Sequence, residues 1–196
     1  MKKRSAQVRR KTRETNVSVE LVLDGTGLCT IKTGMPFLDH MLELLSVHSL
    51  IDLKIRATGD LQVDYHHTVE DIGLSMGEAF DKALGGRKGI ARYGWSLVPM
   101  DEALSRVAVD LGGRPCLVYE AANRKRKIGD FDLSLVPEFM QALCVRGRMT
   151  LHIAQLYGKE AHHAYESMFK ALAKALRMAC ERDLRVKGVP SSKGKI

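Results

Sequence analysis

Cysteine is scarce in this chain: four in 196 residues, at positions 29, 116, 144 and 180. They are scattered, with no CxxC pair and no dense framework. That excludes a disulfide scaffold and predicts structural thiols in a reduced, cytoplasmic setting. Long apolar runs are missing as well. The longest uncharged candidates, 44–51 and 149–158, are short and contain histidine. Both fall well below the ~18 residues needed to cross a bilayer, so no membrane partner is expected. The opening MKKRSAQVRRK is basic but has no apolar segment behind it, so it does not read as a secretory signal.

The composition is otherwise ordinary for a folded protein, 45% apolar and 28% charged, which argues against wholesale disorder. The length suits one domain or two small fused ones. The net charge is +8, but residues 1–14 carry +6 and residues 181–196 carry +3, leaving −1 for the body between them. A nucleic-acid-binding domain puts its basic stripe on the folded body. Basic ends on a near-neutral body predict solvated arms, or arms that order in an assembly, and no nucleic-acid partner.

The chain reads as two halves with one order of elements. In the first, VSVELVL at 17–23 alternates apolar residues on one face, Asp24-Gly25-Thr26-Gly27 supplies turn chemistry, and LCTIKT follows. This predicts a hairpin. Pro36 suits a helix first turn, and Phe37, Met41, Leu44, Leu45 and His48 then recur at helical spacing. A strand at 51–57 and a helix over about 66–84 complete the half. The second half repeats this: LSRVAVDL at 104–111, the turn GGRP and CLVYEA at 116–121 predict a second hairpin. A basic loop at 123–132, a helix over about 134–146, a strand at 149–157 and a helix over about 161–182 follow, with 85–103 as connector. Each half alone holds little core. The expected fold is therefore α/β (α+β): two similar hairpin-helix-strand-helix halves, ferredoxin-like duplicated repeats, with the helices packed together between the sheets. The first repeat, 1–90, carries the basic N-terminal arm. The second, 91–196, carries the SSKG tail. Together they form one globular unit.

The chemistry is concentrated in histidine. Four of the seven histidines form two doublets with a glutamate at the same offset, His66-His67-Thr-Val-Glu70 and His162-His163-Ala-Tyr-Glu166. Two chance copies of HHxxE have a probability on the order of one in ten thousand, which controls for motif false positives. Both copies open the equivalent helix. Neutral imidazole and carboxylate are good ligands for borderline divalent ions. Successive residues on a helix point about 100° apart, so one helix does not easily aim both members of a doublet at one ion. Two doublets therefore suit two metal sites, each drawing on both halves. If the halves do not meet within one chain, the sites lie between subunits. His40 and His152 are further ligand candidates, with a satisfied core histidine as the plainer reading for His40. His48 is a ligand, an acid/base group or helix surface.

At these residues the sequence closely resembles the imidazoleglycerol-phosphate dehydratase family of histidine biosynthesis. The resemblance runs through RKTRETNVSVELVLDGTG, PFLDHMLELLSVHS, DYHHTVEDIG, RKGIARYG, PMDEAL, GRP, MTLHI, HHAYESMFKALAKALR and PSSKG. It implies a hydro-lyase that converts imidazole glycerol phosphate to imidazole acetol phosphate and water. It implies Mn2+, two ions per active site, in a shell of twenty-four identical subunits with the sites between them. Carried over by motif, the metal ligands are His40, His66, His67, Glu70, His152, His162, His163 and Glu166. The substrate's phosphate would meet Arg92, Arg114, Lys170, Ser191 and Lys193, where Arg offers a planar fork and Lys a point charge. Glu14 and His48 stand at positions near the reacting carbons and are the acid/base candidates. The resemblance also counts Glu70 and Glu166, besides their place among the ligands, as catalytic residues. The expected course is expulsion of the hydroxyl from an imidazolate, giving a diazafulvene-type intermediate. The alternative enzyme class is a two-metal hydrolase acting on a phosphate ester.

Overall fold

The computed structural model describes residues 3–194 and 196; Met1, Lys2 and Lys195, outer parts of the two basic segments, lie outside the described residues. The first half runs β1 (Ser5–Lys11), β2 (Thr15–Val22), β3 (Cys29–Lys32), α1 (Pro36–Ser49), β4 (Asp52–Gly59) and α2 (His66–Leu84). The second runs β5 (Tyr93–Met100), β6 (Ala103–Asp110), β7 (Cys116–Ala121), the short pair β8 (Lys127–Ile128) and β9 (Phe131–Asp132), then α3 (Leu135–Gly147), β10 (Thr150–Tyr157) and α4 (Ala161–Cys180). Two four-stranded sheets result, in the orders β1-β2-β4-β3 and β5-β6-β10-β7. The duplication is thus exact in topology, and the mixed α/β class is as expected.

The predicted hairpins are corrected. β2 does not pair with β3, nor β6 with β7. β3 lies parallel to β4, and β7 parallel to β10. The reason is local. Asp52 Oδ1 accepts the backbone N–H groups of Thr26, Gly27 and Leu28 at 2.7, 3.0 and 3.0 Å. The Asp-Gly-Thr-Gly segment therefore wraps a carboxylate on β4 and hands the chain across that strand. A parallel pair needs a crossover, and α1 and α3 supply it.

The true hairpins are β1–β2 and β5–β6. The described part of the basic N-terminal arm is thus an edge strand, not a solvated tail. The 85–103 connector holds β5. β1 shows no clear alternation because it needs only Val8 fully buried. Its Arg9 and Lys11 stay exposed, which suits an edge. Arg10 Nε reaches Asp71 Oδ1 on α2 at 2.6 Å, and Thr15 donates to the other oxygen of that buried carboxylate.

The helices lie between the sheets. α1 packs on α4 and α2 on α3, while α2 lines the first sheet and α4 the second. Phe80, Phe139 and Phe169 are fully buried, and the last two rings stack with centroids 6.2 Å apart. Gly73 lets α2 and α3 approach: a Cβ there would stand 2.7 Å from both Ala142 Cβ and Phe139 O.

The outer faces differ. The first sheet presents Arg9, Lys11, Lys54 and Arg56. The second presents Tyr93, Trp95 and Leu97 of β5, with Trp95 63% exposed. Trp95 pairs with Ala108, Ala108 with His152, and His152 with Val118. This row carries His152 across the outer face, and the next row, Leu97, Arg106, Ala154 and Glu120, adds two exposed charges.

Candidate metal and substrate site

α4 opens at its doublet. Glu160 caps it, its side chain accepting from the His162 backbone N–H at 3.1 Å. One turn on, Glu166 faces the same way as His162, as i and i+4 residues do. α1 packs alongside and adds His40. Nε2 of His162 is 3.2 Å and Nε2 of His40 3.6 Å from Glu166 Oε2, and the two rings stack at 5.4 Å. All three ligand atoms lie within 4.8 Å of one another. Two imidazoles and a carboxylate are a donor set for a borderline divalent ion, so these residues fit one. His40 is half-exposed in this group rather than enclosed in the core.

Glu166 is buried. Burial alone would raise its pKa, but Lys170 Nζ at 2.6 Å from Oε1, with His40 and His162, outweighs this and holds it below the usual carboxylate range. His48 lies two turns along α1 from His40. Burial pushes its pKa down, and the charges of Lys170 and Lys174 push the same way against Glu166. At neutral pH it is therefore an uncharged imidazole, able to accept a proton.

The first doublet opens α2, where the His66 backbone N–H bonds Asp64 Oδ1 at 2.8 Å. Among the described residues, His66, His67 and Glu70 do not join the His40–His162–Glu166 group. A cavity of about 440 Å³ borders that group, lined by Phe37, His40, Tyr65, Phe131 and His162. A second, of about 500 Å³, borders His66 and shares Tyr65 and Asp130 with the first. The β8–β9 hairpin thus stands between the two doublets. Phe131 fills the gap, 5.3 Å from the Phe37 ring and 6.3 Å from Tyr65.

The phosphate candidates divide. Arg92, Arg114, Ser191 and Lys193 line one cavity of about 420 Å³. Arg92 grips Asp110 with Nε and Nη2 at 2.6 and 3.0 Å, and its Nη1 holds the C-terminal tail by Pro190 O at 2.7 Å. Lys170 is elsewhere, bound to Glu166 and Met100 Sδ. Glu14 is on the exposed turn between β1 and β2, with Oε2 3.9 Å from His67 Nδ1.

The family model for Imidazoleglycerol-phosphate dehydratase matches residues 33–176. The chain belongs to this family. A dehydratase of that name from Chromobacterium violaceum is 53% identical over 192 residues, covering 97% of this chain and 98% of the relative. One from Methylorubrum populi is 54% identical over 194 residues, covering 98% and 100%. The solved imidazoleglycerol-phosphate dehydratase of Staphylococcus aureus superposes with TM-score 0.81 at 39% identity, over 91% of this chain and 99% of that one. That of Pyrococcus furiosus, solved in complex with (S)-C348, gives 0.83 at 39%, over 96% and 100%. The chain is accordingly a hydro-lyase of histidine biosynthesis, with the duplicated fold of the imidazoleglycerol-phosphate dehydratases.

Sequence reasoning passed over Asp60 and Glu102, which turn out to bond the second histidine of each doublet: His67 Nδ1 to Asp60 Oδ2 at 3.0 Å, His163 Nδ1 to Glu102 Oε2 at 2.8 Å. No signal marked them, because an acid at a strand end looks like any turn residue.

Proposed function

We propose that the chain converts imidazole glycerol phosphate to imidazole acetol phosphate and water, with two Mn2+ ions per active site, in a twenty-four-subunit shell in the cytoplasm. The convergence of His40, His162 and Glu166 from two helices carries the metal reading. A bound divalent cation would supply Lewis acidity toward a nitrogen of the substrate's ring. His66, His67, Glu70, His152 and His163 are the remaining ligands in this reading. His152 supports assembly. It sits on the outer face of the second sheet between Ala108 and Val118, in one row with the exposed Trp95, and a second copy covering that face would bring it ligands that it does not meet among the described residues. Exposed apolar patches of this kind mark association surfaces. We read residues 1–90 and 91–196 as two repeats of one unit.

The chain's own residues would act as follows. Arg92, Arg114, Ser191 and Lys193 clamp the phosphate, and the tail that Arg92 holds would exclude water there. Lys170 complements this from a different place, neutralising Glu166 until substrate or metal arrives. The electrons of the ring expel the side-chain hydroxyl as water, passing through a diazafulvene-type species. Glu14 and His48 move the protons: one is delivered to the departing hydroxyl, the other taken from the neighbouring carbon, and the resulting enol becomes the ketone.

The test is a Mn2+-dependent assay on the assembled protein. Formation of imidazole acetol phosphate is expected. Its absence with Mn2+ supplied overturns the reading, and release of inorganic phosphate instead would install the phosphate-ester hydrolase in its place.

A further inference from the structure

The two halves share a register. Ser5 pairs with Val22, and Tyr93 with Asp110, so equivalent positions in these hairpins differ by 88. The Leu23 N–H to Arg4 O bond at 2.9 Å recurs as Leu111 to Arg92 at 3.0 Å, which confirms it. Glu14 and Glu102 are therefore counterparts, each immediately preceding the second strand of its hairpin. His67 and His163 are counterparts in the doublets. Yet the carboxylates are used differently. Glu102 bonds His163 Nδ1 at 2.8 Å and also accepts the Glu160 backbone N–H at 2.8 Å. Glu14 stands 3.9 Å from His67 Nδ1, its side chain 55% exposed.

The difference traces to one residue. Gly59 and Gly158 occupy the same place: a Cβ on Gly59 would meet Thr68 and Thr15, and on Gly158 their counterparts Ala164 and Ala103. The next residue is Asp60 in the first half and Lys159 in the second. Asp60 accepts from His67 Nδ1 at 3.0 Å; its other oxygen is buried with no partner. A lysine has no acceptor. In the second half Glu102 does this work at Nδ1, while Asp101 Oδ2 lies 3.7 Å from the other ring nitrogen, Nε2.

A carboxylate that takes the Nδ1 proton fixes the neutral imidazole with its lone pair on Nε2, and so presents that nitrogen to a cation. We propose that Asp60 and Glu102 are positioning residues that orient His67 and His163 toward metal, and that Asp60, by taking over His67, releases Glu14 for proton transfer. The duplicated glutamates have thereby divided into an orienting one and a chemical one. This rests on the metal reading above.

The experiment titrates the full-length assembled protein with Mn2+ alone, reading free Mn2+ by electron paramagnetic resonance. Asp60→Ala and Glu102→Ala should each weaken Mn2+ binding roughly 10- to 100-fold, the usual cost of losing an outer-shell partner. Excess Mn2+ should restore much of their kcat. Asp60→Asn and Glu102→Gln keep an accepting oxygen and the parent shape, and should fall between; they carry the test if the alanine variants do not fold. Glu14→Gln should bind Mn2+ like the parent and lose kcat at every Mn2+ concentration. Parent-like Mn2+ affinity in the Asp60 and Glu102 variants, even with lowered thermal stability, overturns the orienting role. Retained turnover in Glu14→Gln overturns the division of labour. A parent protein that binds no Mn2+ instead sinks the metal reading itself.

Discussion

Phe131 links packing to the site. It lies on a two-strand hairpin, 3% exposed, with its ring against Phe37 and Tyr65. Phe37 in turn touches the His162 ring edge-on at 6.0 Å. Those two aromatic residues precede the histidines of α1 and α2. Phe131→Ala removes the wedge that sets both. Truncating a buried Phe costs about 3–5 kcal/mol. The hairpin's Gly129 and Asp130 are solvent-facing, so the segment can relax, and the lower figure of about 3 kcal/mol is expected. For a chain of this size that is a Tm lower by about 6–12 °C. The assay is thermal unfolding by circular dichroism, together with Mn2+ affinity at 25 °C, which should weaken as His40 and His162 lose their wall. A Tm within 2 °C of the parent and unchanged Mn2+ binding would refute the wedge.

Three further outcomes are expected. Gly94→Ala would place a Cβ 2.0 Å from Ala175 O, pushing β5 off α4; overpacking of this kind costs about 1–3 kcal/mol, and unfolding by denaturant should show a loss at the top of that range. The Arg4 guanidinium holds the Asp24 carboxyl down from 3.8 to about 2. That drop corresponds to roughly 2.5 kcal/mol by linkage, and screening at a side chain about one-third exposed reduces it to about 1 kcal/mol. Because the folded pKa is the lower one, this stability is complete above pH 4 and disappears as pH falls toward 2; Asp24→Asn should flatten acid unfolding there and lose about 1 kcal/mol at pH 7. Trp95→Lys, on the outer face of the second sheet where the ring is 63% exposed, should yield smaller particles in analytical ultracentrifugation with helix content intact.

The two faces of the sequence were unequally legible. All four helices could be read, because α1–α4 each bury one stripe against the other helices or a sheet, and Pro36 marks the first turn of α1. Strand existence was legible where one face is buried, as at Val17, Val19 and Leu21. Strand pairing was not. Asp24-Gly25-Thr26-Gly27 has hairpin composition, and only the distant Asp52 carboxylate decides that it spans a neighbour instead. β1 stayed hidden because an edge strand with one buried residue has no period to read. In the site, the paired HHxxE units announced themselves, and His40 joined one of them through α1–α4 packing. Asp60 and Glu102 did not, since their meaning depends on where β4 and the β5–β6 turn end in space.

The most direct test of the central claim is the metal content of the assembled protein after equilibration with Mn2+ and removal of the excess, read by mass spectrometry for the parent and for Glu166→Gln and His162→Ala. Two Mn2+ per chain in the parent, with one lost in either variant while the fold survives, is the expected result. A parent that retains no Mn2+, or variants that retain as much as the parent, would contradict it.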